Sequence, residues 1–195
     1  MDVSEIKFKV DSLDDVRRAA NQEALTDEWR DSDNGYAVRQ KDTYFHQNFA
    51  DSGRRMKLTE FLTVIPGDPQ RRMEVLDYLR PDHPPSMHTF TRDEVAVEAG
   101  KVPHINFHDA TVMSVVEKTR EVIVLGRTRV CLTTITELGD HFVEIEVMLL
   151  KGESIEDGHK EAVRIAAQLG ITQTPLEADE YLKMLPPAVP RRMQT

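Results

Sequence analysis

The sequence predicts an α+β fold in which helices cover one face of an antiparallel sheet. Three observations predict it. Strand-like stretches follow one another across short turns, as in hairpins. Their residues alternate between apolar and charged, so each strand has one dry face and one charged face. Helical spacing is clearest in a segment after the first strand and at the C-terminal end. The 195 residues suit one domain with a core of its own, read as residues 1–187 with a flexible tail over 188–195. Lys and Arg number 25 against 34 Asp and Glu, a net charge of −9, which excludes a protein that coats nucleic acid non-specifically. Cys131 is the single cysteine, so no intramolecular disulfide is possible. The first residues carry neither a basic nor an apolar leader region, and no apolar run approaches the roughly 18 residues of a membrane span. The expectation is a cytoplasmic protein that binds no membrane and no nucleic acid.

The first strand carries Ile6, Phe8 and Val10 on one face and Glu5, Lys7 and Lys9 on the other. Ser12 and Asp15 have capping-box spacing, and Leu13, Val16 and Ala20 then recur as in a helix that extends toward Arg30. Residues 31–35, Asp-Ser-Asp-Asn-Gly, form a turn. Strands are predicted at 36–45, 54–64 and 72–79, separated by turns at 48–53 and 66–69. Residues 81–109 hold four of the ten prolines and four of the seven histidines and are read as loop, with a short helix near Arg92 to Ala99. Strands return at 112–125, 128–135 and 141–150. Ser154 and Asp157 cap a helix that ends at Leu169-Gly170, where glycine suits the left-handed position. Thr174, Pro175 and Glu177 start another, stopped by Pro186-Pro187.

The charges are sorted by strand. Arg55 and Lys57, Lys118 and Arg120, and Arg127 and Arg129 are basic pairs two residues apart, while Glu144 and Glu146 are an acidic pair. A sheet with one wet face gives such alternation. A sheet curled into a tunnel gives it too, with charge inside and apolar residues outside under the helices. An inward ring of Lys and Arg repels itself unless a polyanion fills it, and guanidinium forks match phosphate oxygens. The acidic pair suits Mg²⁺ or Mn²⁺, hard cations that take carboxylates together with phosphate oxygens.

Other candidates carry less. His104 and His108 are four apart but follow Pro103 and have no third ligand at a matching spacing. Cys131 is read as a small inward residue, Met56, Met73 and Met113 as core, and Trp29 as packing at the end of the first helix. The glycine-rich loops of P-loop and dinucleotide-binding proteins and the His-Glu-x-x-His motif are absent from the sequence.

Eight short motifs, in order, resemble the CYTH family, or triphosphate tunnel metalloenzymes, most closely the branch that includes class IV adenylate cyclases. They are Glu5-Ile6-Lys7 with Lys9; Gln40-Lys41-Asp42-Thr43-Tyr44-Phe45; Arg55-Met56-Lys57-Leu58; Tyr78-Leu79-Arg80; Lys118-Thr119-Arg120; Arg129-Val130-Cys131-Leu132 with Leu138-Gly139; Phe142-Val143-Glu144-Ile145-Glu146-Val147; and Leu169-Gly170-Ile171 with Tyr181. The resemblance implies a closed antiparallel eight-stranded β-barrel with helices packed outside. It implies a metal-dependent enzyme, cyclase or triphosphatase, acting on a nucleotide or other triphosphate. Carried over by position, Lys7, Lys9, Arg55, Lys57, Arg80, Lys118, Arg120 and Arg129 grip phosphates. Glu5, Glu144 and Glu146 hold the metal, with Glu5 and Glu146 as catalytic residues, in a monomer or homodimer. Three positions depart from the pattern. Thr59 stands in place of a phosphate-binding Arg, Thr133 in place of an Asp, and Cys131 in place of a His. A tunnel repurposed for a different small molecule, as enzyme or binder, and a non-catalytic interaction domain are the alternative readings.

Overall fold

The computed structural model describes residues 2–23, 35–46, 54–63, 70–78, 88–97, 111–176 and 183–187. The elements are β1 (Asp2–Val10), α1 (Asp14–Glu23), β2 (Tyr36–His46), β3 (Arg54–Phe61), β4 (Arg71–Tyr78), β5 (His88–Ala96), β6 (Thr111–Leu125), β7 (Thr128–Ile135), β8 (His141–Met148) and α2 (Ile155–Gln168). All eight strands pair antiparallel, in the order β1-β5-β4-β3-β2-β6-β7-β8, with β8 beside β1 again. The seam between β1 and β5 is short. It holds four residue pairs, from Asp2 with Thr91 to Glu5 with His88, where the β2–β6 ladder runs from Tyr36 to His46. Beyond Glu5 the described part of β5 no longer follows β1. The chain near the C-terminus takes over, and the Leu176 N–H donates to the Lys7 carbonyl at 2.7 Å. The sheet is therefore strongly curled, with eight antiparallel strands as expected, but where a fully closed barrel was expected β1 and β5 meet over four residue pairs only.

The strand boundaries lie close to those expected, with one correction. Residues 92–96 are not the start of a helix; they belong to strand β5. Other expectations fall on residues outside the described set: the continuation of α1 toward Arg30, most of the helix from Thr174, the histidines 104 and 108, Trp29 and the tail over 188–195.

The helices form where their caps predict. The Ser12 hydroxyl accepts the Asp14 N–H at 3.2 Å, one residue earlier than capping-box spacing suggests. At α2 the Ser154 hydroxyl accepts the Asp157 N–H at 3.1 Å and donates to the Asp157 carboxylate at 2.7 Å. Gly170 follows the helix with φ 71°, the left-handed turn that glycine adopts without strain.

Both helices lie against the same side of the sheet. Ile6, Phe8 and Val10 of β1, Val130 and Leu132 of β7, and Val143, Ile145 and Val147 of β8 pack there. They meet Leu13, Val16 and Ala20 from the α1 region and Ala162, Ile165, Ala166 and Leu169 from the α2 region. Each Val, Leu, Ile or Phe among them contributes about 1.5–3 kcal/mol when fully buried. The two-residue period then fixes the other side: Glu5 and Lys7, Lys118 and Arg120, Arg129 and Thr133, and Glu144 and Glu146 face the lumen. Two residues further toward one end, on those same strand faces, come Val116, Ile135 and Phe142. They cluster with Leu185, and Leu176 and Met184 pack against them. The Ser114 hydroxyl donates to the Pro186 carbonyl at 2.5 Å. This end of the lumen is thus stoppered by apolar residues from the C-terminal segment. No helix among the described residues is long and apolar enough to cross a membrane.

Candidate functional site

The register of β1, β8 and β7 builds the acidic wall. Glu5 lies opposite Glu146 and Lys7 opposite Glu144 across the β1–β8 ladder. Each carboxylate can offer an oxygen within 4.8 Å of the other two, and all three are buried. Like charges this close destabilise one another unless cations compensate. Lys7 Nζ stands 3.7 Å from both Glu5 and Glu144. Arg120 of β6 donates to Glu144 Oε2 at 2.6 Å. Arg92 of β5 grips Glu146 with two hydrogen bonds of 3.0 Å, one to each oxygen.

The three carboxyl groups respond differently. Burial raises the Glu5 pKa against the pull of Lys7, and Glu144 and Glu146 add to the rise. Burial also opposes ionisation of Glu144, but Arg120, Lys7, Lys118 and Lys57 overcome it and hold the group well below the usual range. Glu146 is likewise penalised by burial, yet the paired Arg92 outweighs this and brings it down to about 2. Glu144 Oε1 is buried and accepts no hydrogen bond among the described residues, with Lys7 Nζ 3.7 Å away. Three buried carboxylates, with Glu144 Oε1 accepting no hydrogen bond among the described residues, are a donor set for a hard divalent cation. The cluster therefore fits the metal that the motif pattern implies.

The opposite wall is organised by Asp42 of β2, which is fully buried. Lys118 Nζ lies 2.6 Å from its Oδ2, and Lys57 Nζ lies 3.7 Å away. Gln40 Nε2 and the Thr59 hydroxyl each donate to its Oδ1 at 2.9 Å, and the Tyr44 hydroxyl reaches Oδ2 at 3.4 Å. Burial works against the Asp42 charge, but Lys118 and Lys57 prevail and hold the carboxyl far below its ordinary value. Lys57 also pairs with Glu74 of β4 at 2.7 Å, which keeps Glu74 ionised below the usual range despite burial.

The structure thus brings together Glu5, Lys7, Lys57, Lys118, Arg120, Glu144 and Glu146. Lys118 is itself fully buried and committed to Asp42. Arg129 faces the lumen opposite Glu146 and forms no ion pair among the described residues. Lys9 stands apart, 2.8 Å from Asp140 in the turn before β8 and 44% exposed. The side chain of Arg55 and the whole of Arg80 lie outside the described residues. Two of the three departures from the motif pattern hydrogen-bond to the site's charged residues. Thr59 serves Asp42, and Thr133 accepts a long 3.3 Å hydrogen bond from Arg120 Nε. Cys131 is buried as expected, and burial pushes its thiol pKa up, which leaves it a poor nucleophile.

Sequence reasoning missed Arg92 and Glu74 and gave Asp42 no role. Phe90, Arg92 and Glu94 alternate with Thr91, Asp93 and Val95, which is the signal that would have found Arg92.

No family model matches the sequence, and no curated protein is significantly similar to it. Solved structures are similar in fold. One is a protein from Pyrococcus horikoshii OT3, at 20% identity and TM-score 0.69, covering 95% of this chain and 100% of that one. A second is a proposed adenylate cyclase from Vibrio parahaemolyticus, at 14% identity and TM-score 0.62, covering 93% and 97%. A third is the capping-enzyme triphosphatase of Mimivirus, at 12% identity and TM-score 0.52, covering 87% and 89%. All three are 20% identical or less and are alike in fold, and that fold is the one expected from the resemblance of the eight motifs to the CYTH, or triphosphate tunnel, family.

Proposed function

We propose that this protein is an enzyme that acts on a nucleotide or other triphosphate inside its lumen, with Mg²⁺ or Mn²⁺ held by Glu5, Glu144 and Glu146. The observation that carries the reading is the gathering of these three buried carboxylates within 4.8 Å, ringed by Lys7, Arg120 and Arg92. A divalent cation bound there supplies charge neutralisation to phosphate oxygens during phosphoryl or nucleotidyl transfer. In this reading Arg129 and Lys7 bind phosphate oxygens, joined by Lys57, Lys118 and Arg120 and by Arg55 and Arg80, and the more exposed Lys9 assists. Glu5 and Glu146 are the candidate catalytic carboxylates, oriented by Lys7 and Arg92. The apolar stopper at one end leaves the polyphosphate to enter from the other. The nucleophile separates the two chemistries, a ribose hydroxyl for a cyclase and water for a hydrolase.

One observation favours a second reading, a tunnel repurposed for a different small molecule. The Asp42 wall neutralises itself: Lys118 and Lys57 are already paired, and Thr59 stands in place of an arginine. A polyanion there must compete with a buried carboxylate. One experiment separates the readings. Purified protein is incubated with tripolyphosphate and with ATP, each with Mg²⁺ or Mn²⁺, and phosphate release and cyclic nucleotide are measured. Metal-dependent turnover of either supports the first reading. Absence of turnover and of binding for both supports the second.

A further inference from the structure

The lumen is stoppered at one end, so whatever a bound triphosphate carries beyond its phosphates lies toward the other. Tyr44 of β2 packs against the stopper. Tyr36, Val38, Gln40 and Asp42 share a face of β2 with Tyr44, and the register with β6 is unbroken from Tyr36 to Tyr44. That face is the lumen face, because Asp42 meets Lys118 and Lys57 there. Tyr36 therefore stands at the open end of the lumen. Among the described residues it is the one aromatic side chain that is largely exposed, at 43%. Its ring is a flat apolar surface at the mouth of a charged lumen.

The wall beside Tyr36 is apolar. Val122 of β6 lies opposite Tyr36, which sets the two Cβ atoms about 4.5–5.5 Å apart. Val124, half-buried, follows on the same face. Charge returns one strand further on. Arg129 of β7 lies opposite Val124 and forms no ion pair among the described residues. Arg72, another cation at this end, is pinned to Glu94 at 3.0 Å and lies 4.8 Å over the Phe61 ring. Burial raises the Tyr36 phenol pKa while Arg129, Arg120 and Arg72 pull against it, so the ring lies within the field of the lumen's guanidiniums. The same row leads to the acidic cluster: Cys131 lies opposite Val122, and Glu144 lies opposite Cys131. Tyr36 is thus three strand spacings from a carboxylate of the candidate metal site, about 14 Å along the wall. A phosphate chain with a sugar attached spans such a separation.

We propose that Tyr36, with Val122 and Val124 beside it, binds the planar organic group of the substrate at the lumen mouth, so that the substrate is a triphosphate carrying an aromatic base rather than inorganic polyphosphate. The proposal rests on reading the lumen as a site for triphosphates. A base stacked on the Tyr36 ring directs its phosphates past Arg129 toward the acidic cluster. Inorganic tripolyphosphate meets the same cations but has nothing to place on the ring.

The test compares ATP with tripolyphosphate in calorimetric titrations of the full chain, both with excess Mg²⁺. Tyr36→Ala should weaken ATP binding about tenfold, as expected for the loss of one base stacked on an aromatic ring. Its affinity for tripolyphosphate should equal that of the wild type. Tyr36→Phe keeps the ring and should keep the wild-type affinity for ATP. An ATP affinity that Tyr36→Ala leaves unchanged overturns the proposal, and so does an equal loss for ATP and tripolyphosphate. A wild type that binds tripolyphosphate but not ATP overturns it as well. Each of these results leaves the triphosphate reading standing. Absence of binding of both ligands by the wild type overturns both. Should Tyr36→Ala fail to fold, Tyr36→Leu keeps an apolar side chain of similar reach without the flat ring and carries the same expectations.

Discussion

Asp42 shows how much one side chain can organise. Two lysines, an amide and two hydroxyls converge on its carboxylate in a place that solvent does not reach. A buried ion pair of this kind says little about net stability when whole, but breaking it strands a charge. Asp42→Asn leaves Lys118 buried without its counter-ion. It should lower the free energy of unfolding by about 3–5 kcal/mol in urea titrations. A loss below about 1 kcal/mol, the scale of an exposed pair, would mean that Lys118 finds another partner or water. The same residue explains Thr59. An arginine there would bring a third cation to a carboxylate already shared by Lys118 and Lys57, whereas a hydroxyl adds only a donor. The sequence showed the positions of Glu5, Lys7, Glu144 and Glu146 because strand alternation puts them on one face. It did not show the work of Asp42, because a lone aspartate in a strand looks the same whether it meets solvent or lysine.

At the level of elements, the helices and seven of the strands were legible, and the eighth was not. Caps at Ser12 and Ser154 and the apolar alternation of β1, β7 and β8 are local signals, so sequence reasoning reaches them. Strand β5 lacks such contrast. Its lumen face carries Arg92 and Glu94, and its other face carries Asp93 beside Val95, so neither face reads as dry. Only its neighbours β4 and β1 define it as a strand. Helix α2 tells a similar story at Gly158. A side chain at this buried position would run into Leu149 and come within 3.1 Å of the Ser4 Cβ on β1. The glycine is what lets α2 approach the sheet. Gly158→Val should therefore destabilise the protein by about 1–3 kcal/mol through overpacking, in spite of the usual cost of glycine within a helix. Thermal unfolding checks this, and an unchanged or raised midpoint would mean that α2 can shift outward without loss.

On the scale of the whole molecule, an acidic protein encloses a lumen in which charges cancel. Asp42, Glu74, Glu144 and Glu146 all hold their carboxyl groups below the ordinary range, Glu146 at about 2, because lysines and arginines outweigh the penalty of burial. A carboxyl lowered by folding stabilises the fold fully above its unfolded pKa, about 4. That stability drains away as pH falls toward the folded value. Glu5, raised by burial, acts in the opposite direction, but it is one group against four. Metal-free protein should thus show a urea midpoint that falls steeply between about pH 4 and pH 2. A midpoint that stays level to pH 3 would show that the lumen pairs do not exist in solution. The fold itself was legible because the motifs recur in order along the chain. The triphosphate reading depends on whether this neutralised lumen still takes a polyanion, and calorimetric titration with tripolyphosphate, with and without Mg²⁺, asks that most directly. Micromolar binding that requires Mg²⁺ is the predicted result. No heat of binding in either condition would contradict it, and would mean that the tunnel is kept for a different ligand.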